Sequence, residues 1–156
     1  MVQLTPPGAI KVSVLHGPNL NLLGVRDPDH YGKDDFDQVN KRIKEYAKSI
    51  GVEVRIFQSN SEGAIIDAIQ EARTWAEAIV INPGAYTHYS YAIRDALADS
   101  RLPVIEVHVS NVYAREEFRR NSVIAPICTG QIAGFGTRSY LLAIEAVKGL
   151  VEESHR

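Results

Sequence analysis

The sequence has 156 residues, 45% hydrophobic and 23% charged, with a formal net charge of −2. That size fits one domain that buries roughly two-thirds of its unfolded surface, and the charge excludes non-specific nucleic-acid binding, which needs a basic surface. Asp, Glu, Lys or Arg interrupts every apolar run before it reaches membrane-spanning length. The lone cysteine, Cys128, excludes an intrachain disulfide framework and a multi-cysteine zinc site, and reads as a small buried hydrophobe.

Residues 1–10, with Pro6, Pro7 and Gly8, read as a tail, which leaves 11–156 as the folded domain. The tail has neither a basic start nor a long apolar stretch, so no signal peptide is expected and the cytoplasm is the expected compartment. A first strand spans 11–16 and breaks at Gly17-Pro18. A helix over 34–50 places Phe36, Val39, Ile43, Ala47 and Ile50 at helical spacing, with Asp34, Asp35 and Asp37 at its positive end. Gly51 stops it. Strand 52–58 follows, then a helix over 62–75, strand 78–82 ended by Pro83-Gly84, and a helix over 90–100. Strand 103–108 leads into a polar, arginine-rich segment at 110–121. A weaker strand at 131–135 and a closing helix at 137–151 complete the chain, with no repeats and no low-complexity linker. Five strands alternating with helices predict an α/β fold, a parallel sheet with helices on both faces. The commonest order for five strands is 2-1-3-4-5, the flavodoxin-like arrangement.

In such a sheet ligands bind beyond the carboxyl ends of the strands, at the switch point between strands one and three. Asn19 follows strand one, Asn82 and His88 follow strand three, and Glu106, His108, Ser110 and Asn111 close strand four. The long connection from Gly17 to Lys33 carries Arg26 and Tyr31 and reads as a lid. Arg115 and Arg119 stand four apart, on one face if that segment is helical. No carboxylate pair lies on adjacent strand ends, which argues against a glycosidase or a carboxylate-metal site. His88 and His108 have no third ligand at a suitable spacing, so no metal is expected. Arginines beside amides suit a small anionic, hydroxyl-rich molecule, because a guanidinium grips a carboxylate as a fork. A phosphate-binding glycine turn is missing after strand one, and a receiver domain would need acids where His16 and Asn82 stand. Gly134-Phe135-Gly136 reads as a tight strand-to-helix turn.

At these strand ends the sequence resembles the type II dehydroquinase family. The resemblance is carried by 16–24 (HGPNLNLLG), Arg26 with Tyr31-Gly32, 58–63 (QSNSEG), 82–88 (NPGAYTH), 105–111 (IEVHVSN) and Arg115-Glu-Glu-Phe-Arg119, nearly the whole chain after Lys11. It implies anti elimination of water from 3-dehydroquinate to give 3-dehydroshikimate through an enolate, in the shikimate pathway or quinate breakdown, without metal or cofactor. Tyr31 then matches the base, with Arg26 and Arg115 as its cations. A free phenol titrates near 10, so such a base needs roughly 4 kcal/mol of anion stabilisation to work at neutrality. Asn19 matches the residue supporting the enolate, His108 the general acid, and Glu106 its orienter. Asn82, His88, the Val109 backbone, Ser110 and Arg119 match positions holding the substrate's hydroxyls and carboxylate. Asp95 matches a position that reaches a neighbouring subunit's site in a homo-oligomer, a dodecamer of trimers. His16, His30 and His155 match no catalytic position and read as structural or solvated, while Tyr89, Tyr91 and Asn121 depart from the pattern. A lysine-imine enzyme is the first rival, but none of the six lysines lies just after a strand. A non-catalytic module of the family is the second, opposed by the intact Tyr31, Arg26 and His108.

Overall fold

The computed structural model describes residues 8–155; most of the expected tail, residues 1–7, and Arg156 lie outside them. Ile10, read from the sequence as tail, already belongs to the first strand. Five strands form one parallel sheet in the order β2-β1-β3-β4-β5: β1 (Ile10–His16), β2 (Val52–Gln58), β3 (Ala78–Asn82), β4 (Val104–His108) and β5 (Gly130–Ala133). Five α-helices accompany them: α1 (Pro28–Tyr31), α2 (Phe36–Ser49), α3 (Glu62–Ala72), α4 (Tyr91–Ser100) and α5 (Arg138–Ser154). Alternation along the strands divides the core between the two faces. Val12, Val14, Ala78, Val80, Ile105 and Val107 pack against Val39, Ile43 and Ala47 of α2 and Tyr140, Ala143, Ile144 and Val147 of α5. Leu15, Ile79, Ile81 and Val104 pack against Ile65 and Ile69 of α3 and Ile93 and Leu97 of α4. Among the described residues no helix is long and apolar enough to cross a membrane.

The element boundaries follow local chemistry. Asp35 caps α2 through a reciprocal pair with Gln38, each side chain accepting the other's backbone N–H at 2.8 Å. Asp34, expected inside that helix, stays outside it and accepts from Arg42 at 2.8 Å and from the Thr137 hydroxyl at 3.0 Å, tying the end of the long loop to α2 and α5. The Arg42 guanidinium holds the Asp34 carboxyl below the usual carboxylate range. Helix α3 ends at Ala72 rather than at 75, because residues 74–76 fold back onto the carbonyls of Glu71 and Ala72. The segment after β4 is not one helix. It breaks into 3-10 turns at Val112–Ala114, Glu117–Arg120 and Ala125–Ile127, so Arg115 and Arg119 do not share a helical face.

At the carboxyl edge the β1 and β3 loops meet closely. Gly17 N–H donates to the Asn82 carbonyl at 2.7 Å, and a Cβ at Gly17 would lie 2.4 Å from the Pro83 carbonyl. No larger residue fits between them. Gly24 (φ +97°) is required twice over: its backbone is left-handed, and a Cβ would meet Asp35 at 2.8 Å. The contact brings the long loop down onto the cap of α2.

Candidate active site

Register settles which side of the sheet each strand end serves. His16 is paired with both Gln58 and Asn82, so His16 and Asn82 share the face covered by α2 and α5. Ile81 is paired with Glu106, and Glu106 with Gln131, so Glu106 and His108 point to the other face. The cluster is thus assembled from both sides of the sheet edge.

On the α3–α4 side, Glu106 is 0% exposed and His108 7%. His108 Nε2 lies 2.7 Å from Glu106 Oε2, which also accepts from Gln131 Nε2 at 2.6 Å, while the Ser122 hydroxyl donates to Oε1 at 2.6 Å. A carboxylate with no exposed surface demands such donors, since an unpaired buried charge is costly. The ring must present Nε2–H to the carboxylate, which leaves Nδ1 as the nitrogen available to a ligand. Sequence reasoning reached Glu106 and His108 but missed Ser122 and Gln131; pairing of β5 beside β4 was the only signal for the latter.

Across the edge, the long loop delivers Arg26 and Tyr31. The loop is ordered by a 3-10 turn at Leu20–Leu22 and by α1, which starts at Pro28 and is capped by Asp27 accepting from Asp29 N–H at 3.0 Å. Tyr31 is the last residue of α1 and is half-buried. Arg26 Nη2 donates to its phenol oxygen at 2.8 Å, and the same guanidinium carbon lies 3.9 Å from the ring centroid. Arg115 approaches that ring from the segment after β4, at 5.0 Å, and donates to the Ser110 hydroxyl at 3.2 Å. Arg115 Nε is buried without a partner among the described residues. Two guanidinium groups thus flank one phenol.

The remaining candidates fall into place one by one. Asn19 follows β1 in a left-handed conformation (φ 69°), its N–H bonded at 3.0 Å to the side chain of Asn60. Asn60 also receives Gln58 Nε2 at 3.2 Å, so the 58–63 run braces the β1 loop. Asn82 is buried, with Oδ1 accepting Gly84 N–H at 3.1 Å and Nδ2 donating to the Tyr140 hydroxyl at 3.0 Å. His88 Nδ1 donates to the Asn121 carbonyl at 2.8 Å, leaving Nε2 to accept, and burial holds its pKa below the ordinary value. Asn121 contributes a backbone atom that any residue would supply, so its departure from the family pattern costs nothing here. Val109 and Ser110 are buried just past β4, and the Val109 carbonyl takes Gly136 N–H at 3.0 Å. Arg119 reaches Glu116 through Nε at 3.0 Å and Nη2 at 3.3 Å. Asp95 stands exposed on the second turn of α4, apart from the cluster.

His16 is buried and bonded on both nitrogens, so it is structural and not solvated. His30 lies on the outside, paired with Asp27 at 2.6 Å. Tyr89 and Tyr91 are exposed, Tyr89 packed edge-on against Tyr86. Cys128 is half-buried and its thiol is pushed up to about 12, first by burial and then by the Glu106 charge, which removes it as a nucleophile. Among the described residues no three His, Cys, Asp or Glu side chains are grouped as a metal site.

Comparison with known proteins gives a consistent answer. The family model described as dehydroquinase class II matches residues 10–148. A 3-dehydroquinate dehydratase from Dictyoglomus turgidum is 64% identical over 138 residues, 88% of this chain and 95% of that protein. The crystal structure of type II dehydroquinase from Butyrivibrio crossotus superposes with a TM-score of 0.88 at 54% identity, covering 90% of this chain and 98% of the other. That of type II dehydroquinase from Propionibacterium acnes gives 0.86 at 42% identity, covering 89% and 96%.

Proposed function

Because the chain belongs to the class II dehydroquinase family, we propose that the strand-end cluster is its active centre, with Tyr31 as base and His108 as acid. The enzyme is a hydro-lyase that converts 3-dehydroquinate to 3-dehydroshikimate. In the proposed sequence the Tyr31 phenolate removes a proton next to the ketone, and the electron pair moves onto the carbonyl oxygen as an enolate. Asn19 supports that oxygen. The enolate then collapses, and the carbon–oxygen bond to the hydroxyl breaks as His108 delivers a proton from Nδ1, releasing water. The buried Glu106 carboxylate supplies the negative charge that a doubly protonated His108 ring needs. Asn82, His88 Nε2, Ser110 and the Val109 backbone hold the substrate's hydroxyls and carboxylate, with Arg119 as the mobile cation that leaves Glu116 for the carboxylate.

The observation that supports this reading best is the Arg26–Tyr31 bond at 2.8 Å with Arg115 beside the same ring. That bond sets a positive charge directly against the oxygen that the proposed mechanism uses as the base. The test is the appearance of the product enone in the ultraviolet. Full activity in a strong chelator, and after borohydride is added with substrate, fits this mechanism. Loss in either treatment would point instead to a metal or an imine.

We further propose a homo-oligomer, trimers assembling to a dodecamer, in which Asp95 completes a neighbour's site. The exposure of Asp95 on a helix beginning at the catalytic edge favours it, and a closed assembly suits a small subunit. A stable, fully active monomer in sedimentation would refute it.

A further inference from the structure

We propose that His16 and Tyr140 are positioning residues that fix the amide of Asn82 at the substrate site through a buried chain, Asn40–His16–Tyr140–Asn82. The proposal rests on the reading of Asn82 as a substrate-binding residue. The chain runs from the half-buried face of α2 under the end of β1 to the end of β3. Asn40 Oδ1 lies 2.9 Å from His16 Nε2, His16 Nδ1 lies 2.9 Å from the Tyr140 hydroxyl, and that hydroxyl lies 3.0 Å from Asn82 Nδ2. Tyr140 and His16 are both 0% exposed, so water does not compete for the two links that meet at the Tyr140 hydroxyl.

The proton directions are fixed link by link. Asn40 Oδ1 can only accept, so Nε2 carries the ring proton and the neutral ring accepts at Nδ1. The Tyr140 hydroxyl must therefore donate to Nδ1, and its oxygen is left to accept from Asn82. Gly84 N–H holds the other end of the same amide through Oδ1. A flipped Asn82 would oppose two donors at Gly84 and two lone-pair oxygens at Tyr140, so only one orientation survives. In that orientation one N–H of Nδ2 is spent on Tyr140 and the second is left for an acceptor on the substrate. Burial keeps both links in the required state: it lowers the His16 imidazole to about 4 and raises the Tyr140 phenol well above its ordinary value. Phe36 meets the His16 ring edge-on at 5.0 Å, which prevents it from turning away.

The test is steady-state kinetics on 3-dehydroquinate with Asn82→Ala, Tyr140→Phe, His16→Leu and His16→Asn, and the double variant Asn82→Ala/Tyr140→Phe. Tyr140→Phe and His16→Leu should raise KM about tenfold, the scale of one misdirected hydrogen bond, with kcat within about threefold of wild type. In His16→Asn the Oδ1 atom stands where Nδ1 stood and can accept from Tyr140, so it should restore KM to within about threefold of wild type. The double variant should be no worse than Asn82→Ala, because the chain acts through that amide. If Asn82→Ala raises KM while Tyr140→Phe leaves it unchanged, the chain has no positioning role. Additive losses in the double variant, or a fall in kcat with unchanged KM, overturn it equally. An unchanged KM in Asn82→Ala instead removes the substrate role of Asn82, a failure distinguishable from the first. Should Tyr140→Phe not fold, the contrast between His16→Leu and His16→Asn decides the matter alone.

Discussion

Glu106 and His108 sit two residues apart on the fourth of five strands, closed off from water and held by donors that come from as far along the chain as Gln131. Arg26 and Tyr31 sit five residues apart on a connecting loop, half-buried, and are joined by a local bond at 2.8 Å, with Tyr31 packed against the core under α2 and α5. The half proposed to supply the acid is therefore a product of the sheet and shares its stability. The half proposed to supply the base is a local structure docked onto α2, the start of α5 and the segment after β4 through Gly24, Asp34 and Arg115. In an elimination whose two proton transfers take place on opposite sides of the substrate, one half can be rigid while the other admits and releases the ligand. The separation implies that damage to the two halves should look different: chemistry alone on one side, chemistry and folding together on the other.

The sharpest test of that contrast is Tyr31→Phe. It removes the phenol oxygen and keeps the ring between Arg26 and Arg115, so kcat should fall by about 10²–10⁴-fold, the usual worth of a positioned base. Thermal stability should stay within about 0.5 kcal/mol of wild type, as for a partly exposed loop side chain. A variant that loses stability together with activity would show the loop to be part of the cooperative core.

Glu106→Gln addresses the other half. Gln can still meet Ser122 or Gln131 but no longer balances a charged ring, so kcat should drop by about 10–100-fold, the range for a hydrogen bond to a charged group. Glu106→Ala should in addition destabilise the fold by about 1–3 kcal/mol, since it strands the buried His108 N–H and removes the shared acceptor of Ser122 and Gln131. Denaturant midpoints measured beside kcat separate the two effects. Loss of kcat with unaltered stability in Glu106→Ala would erase the distinction between the halves.

The sequence foretold one of these halves better than the other, and the reason is range. Alternating strands and helices pointed to the parallel sheet, the commonest order for five strands supplied 2-1-3-4-5, and the strand-end rule brought His108, Asn82 and Asn19 forward as candidates. Tyr31 was singled out as a candidate base only through resemblance, because a tyrosine on a loop carries no periodic signal. The His16–Tyr140 bond spans 124 positions and the Asn82–Tyr140 bond 58, and nothing local to any of these residues announces the others. Ser122 escaped for the same cause, being an ordinary polar residue in an irregular stretch until β4 brings Glu106 to it. The Gly17 requirement was invisible too, since it depends on Pro83 arriving 2.4 Å from an absent Cβ.

The end of β1 should also carry a pH signature of its own. His16 is buried with a pKa lowered from 6.5 to about 4, desolvation being the larger cause and the Asn40 bond opposing it. A folded-state value below the unfolded one means that the unfolded chain takes up the proton first. Its contribution is complete above 6.5 and is lost as the pH falls toward about 4. The slope is about 1.4 kcal/mol per pH unit, or about 3 kcal/mol over the window. His16→Asn has no such titration, so the stability difference between wild type and variant, from urea midpoints at pH 4 to 7, should narrow by that amount on acidification. A difference independent of pH would mean that folding does not lower the pKa of His16.

The smallest expected effect concerns movement of the base half, and limited trypsinolysis measures it. The loop from Gly17 to Lys33 joins β1 to α2 and is pinned at its far end by Asp34, which takes bonds from Arg42 and Thr137. Lys33 is exposed beside Gly32, whose φ of +78° has open space around it, so the backbone there can turn into a protease. Arg26 is engaged with the Tyr31 ring and followed by Asp27, which makes it the slower cut. A carboxylated substrate analogue that Arg26 and Tyr31 close upon would lower the open population. At ten times its dissociation constant it should slow cleavage at Lys33 and Arg26 by about tenfold, provided opening is fast relative to cutting. Arg73, exposed just beyond α3 and remote from the loop, is the internal control and should be cut at the same rate in both conditions. Equal rates at Lys33 with and without the analogue would make the loop a fixed wall. The base would then have to act from its resting place, and the contrast between a rigid acid half and a closing base half would reduce to a difference in burial.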